Sequence, residues 1–312
     1  MAFAALINWQ NGDAVPLLLS VLRQGSKLYH GCAFSAYVRQ TMATDWPAEQ
    51  KLLKLREVFP LAATVDEKKL ILREAGGIRT FLSFVFVSSW LDDVELGPTA
   101  SRSTMRLALP TADAQPGLTG KEVRKALEKV MEKLTGPDSQ YDRIDVKSYL
   151  DQLPYVQGYE SIFNGTNLDG WQGLVENPIA RAKMTKEELA KKQAVADAKI
   201  TDNWSVKDGM ICFTGTGENL CTKRTFGDFE MLVDWKISKN GDSGIYLRGS
   251  PQVQIWDTAR VDVGAQVGSG GLYNNTVNRN PLVVADNPIG EWNTLYIKMI
   301  GERVTVYLNG TL

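Results

Sequence analysis

Near residue 153 the spacing of apolar side chains changes, and few sequence features restrict a fold more than that period. Before it, apolar residues recur at three- and four-residue intervals over 17–22, 34–41, 51–59, 67–74, 78–91, 99–109 and 121–134. Such spacing lines one face of a helix, so each segment is predicted to be helical. Gly25, Pro47, Pro60, Gly76-Gly77, Pro110, Gly117 and Gly136-Pro137 fall at the breaks, where helices end. Thr119 with Glu122 fits a capping box at the start of the last of them,. Beyond residue 159 the alternation has period two, over 160–163, 210–213, 229–237, 244–248, 253–256, 295–300 and 303–308. That pattern belongs to strands with one packed face.

The fold class expected is therefore multidomain, α + β. An all-α domain at 1–153 is followed by an all-β sandwich of the jelly-roll kind at 154–312, with a helical insertion at 178–199 capped by Thr185 and Glu188,. The insertion is either a solvated surface helix or a lid over a site. Segments 51–75 and 78–108 read as successive helix pairs and resemble HEAT-type repeats, without a clean period. Phe81, Phe84, Phe86 and Trp90 either fill that domain's core or line a groove for a protein partner. Ser148, Tyr149 and Leu150 close its last helix, and a polar link runs from Pro154 to Tyr159.

At the far end an alternating strand runs into Asn309-Gly310, the strongest short hairpin signal, so a returning strand is expected. The chain as given reads as truncated within its second domain. The opening residues 1–7 lack a basic region, so no signal peptide is visible,, and no run of 18 apolar residues is present to span a bilayer,. The formal charge is −1 with both signs well mixed, which argues against nucleic acid as a partner. Cys32, Cys212, Cys221 and the one histidine, His30, have no zinc spacing,. Cys212 and Cys221 either bridge paired strands or, with Cys32, stay as buried thiols, and His30 reads as a structural histidine. No metal or cofactor is expected; acids and glycines would admit calcium, though no spacing specifies it.

The chemistry concentrates in residues 242–257. Tyr246, Arg248, Gln252, Gln254, Trp256 and Asp257 interleave with Ile245, Leu247, Val253 and Ile255 across a turn at Gly249-Ser250-Pro251. One face of such a strand pair is packed and the other carries planar donors, amides and aromatics, a surface suited to sugars. Arg248 either steadies developing negative charge and grips hydroxyls or pairs with Asp257 or Glu230. Gln254, an amide in an apolar strand, either binds a ligand or makes a buried structural hydrogen bond. Asp257 points opposite to Gln254 and is either a general base or a turn cap. Glu230 and Asp234 share a strand face about 13 Å apart, too far for a dyad on one bond but each a candidate base. Tyr273 follows the glycine run 268–271 and could present a phenol to a sugar ring; Trp256 and Trp292 either stack on a sugar or fill the core. Asn293 is a candidate sugar ligand or a local backbone partner.

Blocks in this second half carry a resemblance. Ile162-Phe163-Asn164-Gly165, Leu168-Asp169-Gly170-Trp171, Trp204 to Gly209, Leu220-Cys221-Thr222, Phe226 to Glu230, Asp242 to Arg248, Gln252 to Asp257, Gly271-Leu272-Tyr273, Gly290 to Asn293 and Leu308-Asn309-Gly310 occur in order. Together they resemble the DUF1080, or 3-keto-disaccharide hydrolase, family, whose fold is a concanavalin A-like jelly roll. The family's last strands, with their Gly-His and Arg-Asn or Arg-Asp elements, have no counterpart here. The resemblance implies a bacterial, secreted or periplasmic protein that hydrolyses 3-keto-glycosides. The steps implied are C2 deprotonation, elimination of the C1 substituent and hydration. Asp257, Glu230 and Arg248 are then the catalytic candidates, with Tyr246, Gln254, Trp256, Tyr273 and Asn293 binding substrate. A non-catalytic sugar-binding jelly roll beside a helical interaction scaffold is the alternative, because fold alone does not separate lectin from enzyme.

Overall fold

The computed structural model describes residues 2–25, 27–111, 115–154 and 158–312. Two compact units divide the chain, Met1–Glu160 and Ser161–Leu312. The division falls a little beyond the predicted 153/154 because Tyr159 stacks on Phe81 with centroids 4.6 Å apart and Glu160 pairs with Lys121 at 3.2 Å. Residues 155–157 of the predicted link lie outside the described residues.

The first unit is helical among its described residues: α1 (Ala2–Ile7), α2 (Val15–Arg23), α3 (His30–Ala43), α4 (Ala48–Val58), α5 (Val65–Ala75), α6 (Phe81–Ser88), α7 (Gly97–Ala108), α8 (Lys121–Lys133) and α9 (Gln140–Gln152). Helices pack on neighbours one and two along the chain, α5 on α7 and α4 on α6 among them. Any stack of helix pairs does this, so the packing supports the helical architecture without singling out a HEAT repeat. Leu18, Phe34, Tyr37, Leu55, Ile71, Phe84, Leu107 and Leu127 are fully buried, each stabilising the fold by about 1.5–3 kcal/mol relative to exposure. Phe86 and Trp90 pack on Phe59 with centroids 5.5 and 4.7 Å away, so the core reading of these aromatics holds. His30 Nε2 lies 3.3 Å from Glu67 Oε2, a structural histidine as expected.

Two capping details differ from the sequence reading. The predicted Thr119–Glu122 box is absent: α8 starts at Lys121 behind Gly120, which makes no side-chain cap and has φ 117°. Gly120 is held there because a Cβ would come within 2.6 Å of the Tyr159 carbonyl. The box that does form in this unit joins Thr64 and Glu67 at the start of α5.

The second unit contains β1 (Trp171–Gly173), α10 (Pro178–Ala182), α11 (Lys186–Asn203), β2 (Trp204–Lys207), β3 (Met210–Phe213), β4 (Leu220–Thr222), β5 (Phe229–Trp235), β6 (Asp242–Tyr246), β7 (Gln252–Trp256), β8 (Asn293–Ile300) and β9 (Arg303–Leu308). Residues 160–163 form no strand; Ser161 instead bonds locally to Phe163. The strands pair antiparallel, as β1-β4, β2-β3, β5-β8-β9 and β6-β7. These are four short sheets, where alternation alone suggested two facing ones. Cys212 on β3 and Cys221 on β4 therefore sit in strands that do not pair with each other, and both stay free; both are half-buried and Cys32 is exposed, so the buried-thiol expectation is corrected.

The insertion is capped as predicted, Thr185 and Glu188 closing a box on α11. It is not merely solvated, since Asp197 Oδ1 accepts from Gly173 N at 2.9 Å and Gln193 Nε2 donates to Gly173 O at 2.8 Å. A Cβ on Gly173 would meet the Ala196 backbone at 2.5 Å, so the helix rides directly on β1. Trp235, Leu247, Val253, Ile255, Leu295, Ile297, Met299 and Leu308 form the unit's core. At β9's end Asn309 (φ 52°) and Gly310 (φ 81°) make the predicted two-residue turn, with Leu308 and Thr311 exchanging backbone bonds of 2.8 and 2.9 Å,.

Candidate active site

Register decides which side chains share a face. Asp242 pairs with Trp256, Gly244 with Gln254 and Tyr246 with Gln252, while Ile245 and Val253 pair on the side that joins the core. The hairpin therefore has one face of Asp242, Tyr246, Gln252, Gln254 and Trp256,; the period-two reading anticipated Tyr246, Gln252, Gln254 and Trp256 there, together with Arg248, which lies beyond the end of β6. A third segment runs along β7: Gln254 N donates to Gly271 O at 2.9 Å, Gly270 N to Gln254 O at 2.8 Å and Tyr273 N to Gln252 O at 2.9 Å. Gly271 also lies against the 279–281 segment, where a Cβ would meet the Arg279 carbonyl at 2.4 Å.

A polar relay crosses this face. Gln252 Nε2 donates to Gln254 Oε1 at 2.9 Å, Gln254 Nε2 donates to Asp242 Oδ1 at 2.7 Å, and Arg260 Nη1 lies 3.8 Å from Asp242 Oδ2. Gln254 is buried, at 3% exposure, and both ends of its amide are engaged, so the buried structural bond anticipated for it is present. Gly244 makes room for the relay, because a Cβ there would lie 2.3 Å from Gln252 Nε2. Asp242 stays half-exposed. Beside the relay Trp256 is buried, donating from Nε1 to Gly268 O at 2.9 Å, with its ring edge-on to Tyr273 at 6.0 Å. Tyr273 and Tyr246 are exposed, and the Arg279 guanidinium lies 5.8 Å from the Tyr273 ring.

The remaining predicted residues lie elsewhere. Asp257 is covered, its Oδ2 accepting from Asn240 N at 2.8 Å and its Oδ1 from Ala259 N at 2.9 Å. These two amides, Asn240's first, hold its carboxyl below the usual carboxylate range, with Lys239 and Arg260 adding to the effect against the opposing pull of desolvation. This is the turn-capping alternative, and it makes for a weak base. Glu230 is exposed and pairs with its register partner Lys298 at 3.0 Å. Burial first, then the Glu230 charge, pushes the neighbouring Tyr296 phenol up. Asp234 accepts from Thr294 Oγ1 at 2.5 Å. Arg248 stands in the turn beyond β6 with φ 52°, exposed, donating to the Gly301 carbonyl. Asn293 is buried, its Oδ1 accepting from Asn287 N at 2.8 Å and Asn309 Nδ2 at 2.9 Å. The Lys236 ammonium lies 5.0 Å from the Trp292 ring.

The face thus unites Tyr246, Gln254, Trp256 and Tyr273, and sets Asp257, Glu230, Arg248 and Asn293 apart from them. Sequence reasoning passed over Asp242, although the same alternation that found Gln254 places it on that face, and Arg260, which no pattern marks. Among the described residues no three His, Cys, Asp or Glu side chains converge as a metal site, and no helix is long and apolar enough to cross a membrane.

A 3-keto-disaccharide hydrolase of Bacteroides thetaiotaomicron is 29% identical over 105 residues, 30% of this chain, which spans 29% of that relative's length. A solved protein of Parabacteroides distasonis, ascribed to the glycosyl hydrolases, is 21% identical and aligns over 49% of this chain and 70% of its own, at a TM-score of 0.32 that carries no argument about fold. The 3-keto-alpha-glucoside-1,2-lyase-like domain family matches residues 158–312. The second half of the chain belongs to that family.

Proposed function

We propose that the β6-β7 face is the catalytic face of a hydrolase acting on glycosides oxidised to a ketone at C3. The observation that carries this reading is the relay from Gln252 through Gln254 to a half-exposed Asp242, beside the aromatic pair Trp256 and Tyr273, in a domain of this family. A C3 ketone acidifies the C2 hydrogen. Asp242 takes that proton and the C–H electron pair becomes the enolate. The enolate re-forms the C3 carbonyl, builds a C1–C2 double bond and expels the C1 oxygen substituent, which leaves as an alcohol after gaining a proton. Water then adds its oxygen to C1 and a proton to C2, so the net change is hydrolysis. Gln254 aims the base by fixing one carboxylate oxygen, while Tyr246 and Tyr273 flank the sugar and Trp256 backs Tyr273.

The test is release of monosaccharide from a 3-keto-disaccharide by the full chain and by variants. Asp242→Asn should lower kcat by about 10²–10⁴, the usual contribution of a general base. Undiminished turnover in that variant, with loss in Asp257→Asn or Glu230→Gln, would move the base to one of those carboxylates. The engagement of both those acids by other partners favours one alternative, a non-catalytic sugar-binding domain. Binding of unoxidised glycans without turnover of any 3-keto substrate would establish it.

A further inference from the structure

Residues 273–292 lead to β8 without helix or strand, a longer loop than compact domains keep without a use for it. Its course is fixed at a few points. Leu272 bridges Val253 and packs on the core, so Gly271 and Tyr273 face the other way, on the side of Gln254. A Cβ on Gly271 would meet the Arg279 carbonyl at 2.4 Å and Pro281 Cδ at 3.0 Å, and the Arg279 guanidinium stands 5.8 Å from the Tyr273 ring. Residues 279–281 therefore rise over the relay face as a wall beside Tyr273. Farther along, a Cβ on Gly268 would lie 3.1 Å from Val284 Cα, and Ser269 N donates to Asp286 Oδ2 at 3.0 Å, so the far end of the wall is tied down. Between these ties Leu282, Val283 and Val284 are 78%, 51% and 56% exposed. Three consecutive aliphatic side chains are left in water at the rim of the candidate site.

We infer that this wall receives the C1 substituent of the substrate, and that the substituent it fits is an apolar aglycone, an alkyl chain or small hydrocarbon ring, rather than a second sugar. The inference rests on the hydrolase reading of the same face. Residues 281–285 read Pro-Leu-Val-Val-Ala and carry no side-chain donor or acceptor, so a second sugar finds nothing there to bond its hydroxyls. An alkyl group loses water against the same surface and gains about fourfold in affinity for each methylene buried. A protein is too large an occupant, since stable interfaces use about 20–30 residues a side and the strip offers three. Continuity with the site decides the rest. The strip follows directly on Pro281, which stands over Gly271, and Gly271 is bonded to Gln254 at 2.9 Å. With C2 at Asp242, a substituent on the neighbouring carbon that reaches across Gln254 meets Pro281 and then Leu282.

The experiment compares kcat/KM of the full chain, of Leu282→Asn and of Val283→Asn on the 3-keto forms of methyl α-glucoside, hexyl α-glucoside and isomaltose. All three expel a primary or methyl alcohol, so the leaving oxygen is alike and only the group behind it changes. Both side chains are exposed, and circular dichroism verifies the fold of each variant. The expected result is a preference of at least tenfold for hexyl over methyl and over isomaltose, with the hexyl-to-methyl ratio at least threefold lower in each variant. Equal kcat/KM for the hexyl and methyl substrates, a preference for isomaltose, or a ratio unmoved by both variants would overturn the inference while leaving the hydrolase reading intact. If no 3-keto substrate turns over, the hydrolase reading falls, and titration calorimetry with the unoxidised glucosides decides the wall separately. Tighter binding of the hexyl than of the methyl glucoside, lost in the variants, then upholds the wall, whereas equal binding or none overturns it as well.

Discussion

Replacing Asn309 by alanine should destabilise the second unit by about 3–8 kcal/mol, and the sum follows from its contacts. Asn309 is 3% exposed. Its Oδ1 accepts from Thr294 N at 2.9 Å, and its Nδ2 donates to Ala285 O at 2.7 Å and Asn293 Oδ1 at 2.9 Å. Thr294 is buried, so alanine orphans its amide at a cost of about 1–3 kcal/mol, and each of the other two lost bonds removes about 0.5–1.5 kcal/mol. Asn309 also holds φ 52°, where alanine adds about 1–2 kcal/mol of strain that asparagine and glycine largely avoid. Asn309→Gly should therefore cost about 1 kcal/mol less than Asn309→Ala. Urea unfolding followed by tryptophan fluorescence measures both, and only the transition of residues 161–312 should move. A loss below about 1 kcal/mol in the alanine variant, or a glycine variant no more stable than it, would refute the reasoning.

Three further outcomes follow from the same contacts. Gly244→Ala puts a methyl group 2.3 Å from Gln252 Nε2; because a side-chain end can swing away, we expect a loss of turnover at least tenfold with little change in urea midpoint, read by steady-state kinetics beside unfolding. The Asp257 carboxyl is held below its usual range by two backbone amides, so its contribution to stability is full above about pH 4 and is lost as pH falls through the lowered folded value. Asp257→Asn should accordingly flatten the acid limb of a stability-versus-pH curve, and an unaltered limb would refute the assignment. Thr64→Ala should cost about 1 kcal/mol through the lost cap while Thr119→Ala stays within about 0.5 kcal/mol, a contrast that thermal unfolding of the two variants measures.

Local chemistry was well advertised in the sequence wherever period and turn residues agree. The helices from α2 to α8, the Thr185 cap and the Asn309-Gly310 turn lie where spacing put them. α9 was anticipated only at its end because Val146 is its one buried residue, leaving no apolar stripe to read. The Thr119 box failed for a tertiary reason, the close approach of Gly120 to Tyr159. In the site, alternation alone located the face of Gln254 and Trp256. It could not say that Asp257 would be taken by the amides of Asn240 and Ala259, because a turn's path is not written in its neighbours' period. No period marks residues 279–281 as a wall over Gly271, and only the folded chain brings them there.

The relay across β6 and β7 has a direction, and Asp242 sets it. An ionised carboxylate accepts only, so Gln254 must turn its NH₂ toward Asp242 and its oxygen toward Gln252, which in turn must spend an N–H on Gln254. What remains at the outer end, beside Tyr246, is the Gln252 carbonyl oxygen and one N–H. The charge on one acid thereby dictates the polarity of a group that is not its neighbour. Removing that charge, as in Asp242→Asn, leaves both amides free to reverse and present the opposite ends, so a ligand contacting Gln252 would register a change made at Asp242 without touching it.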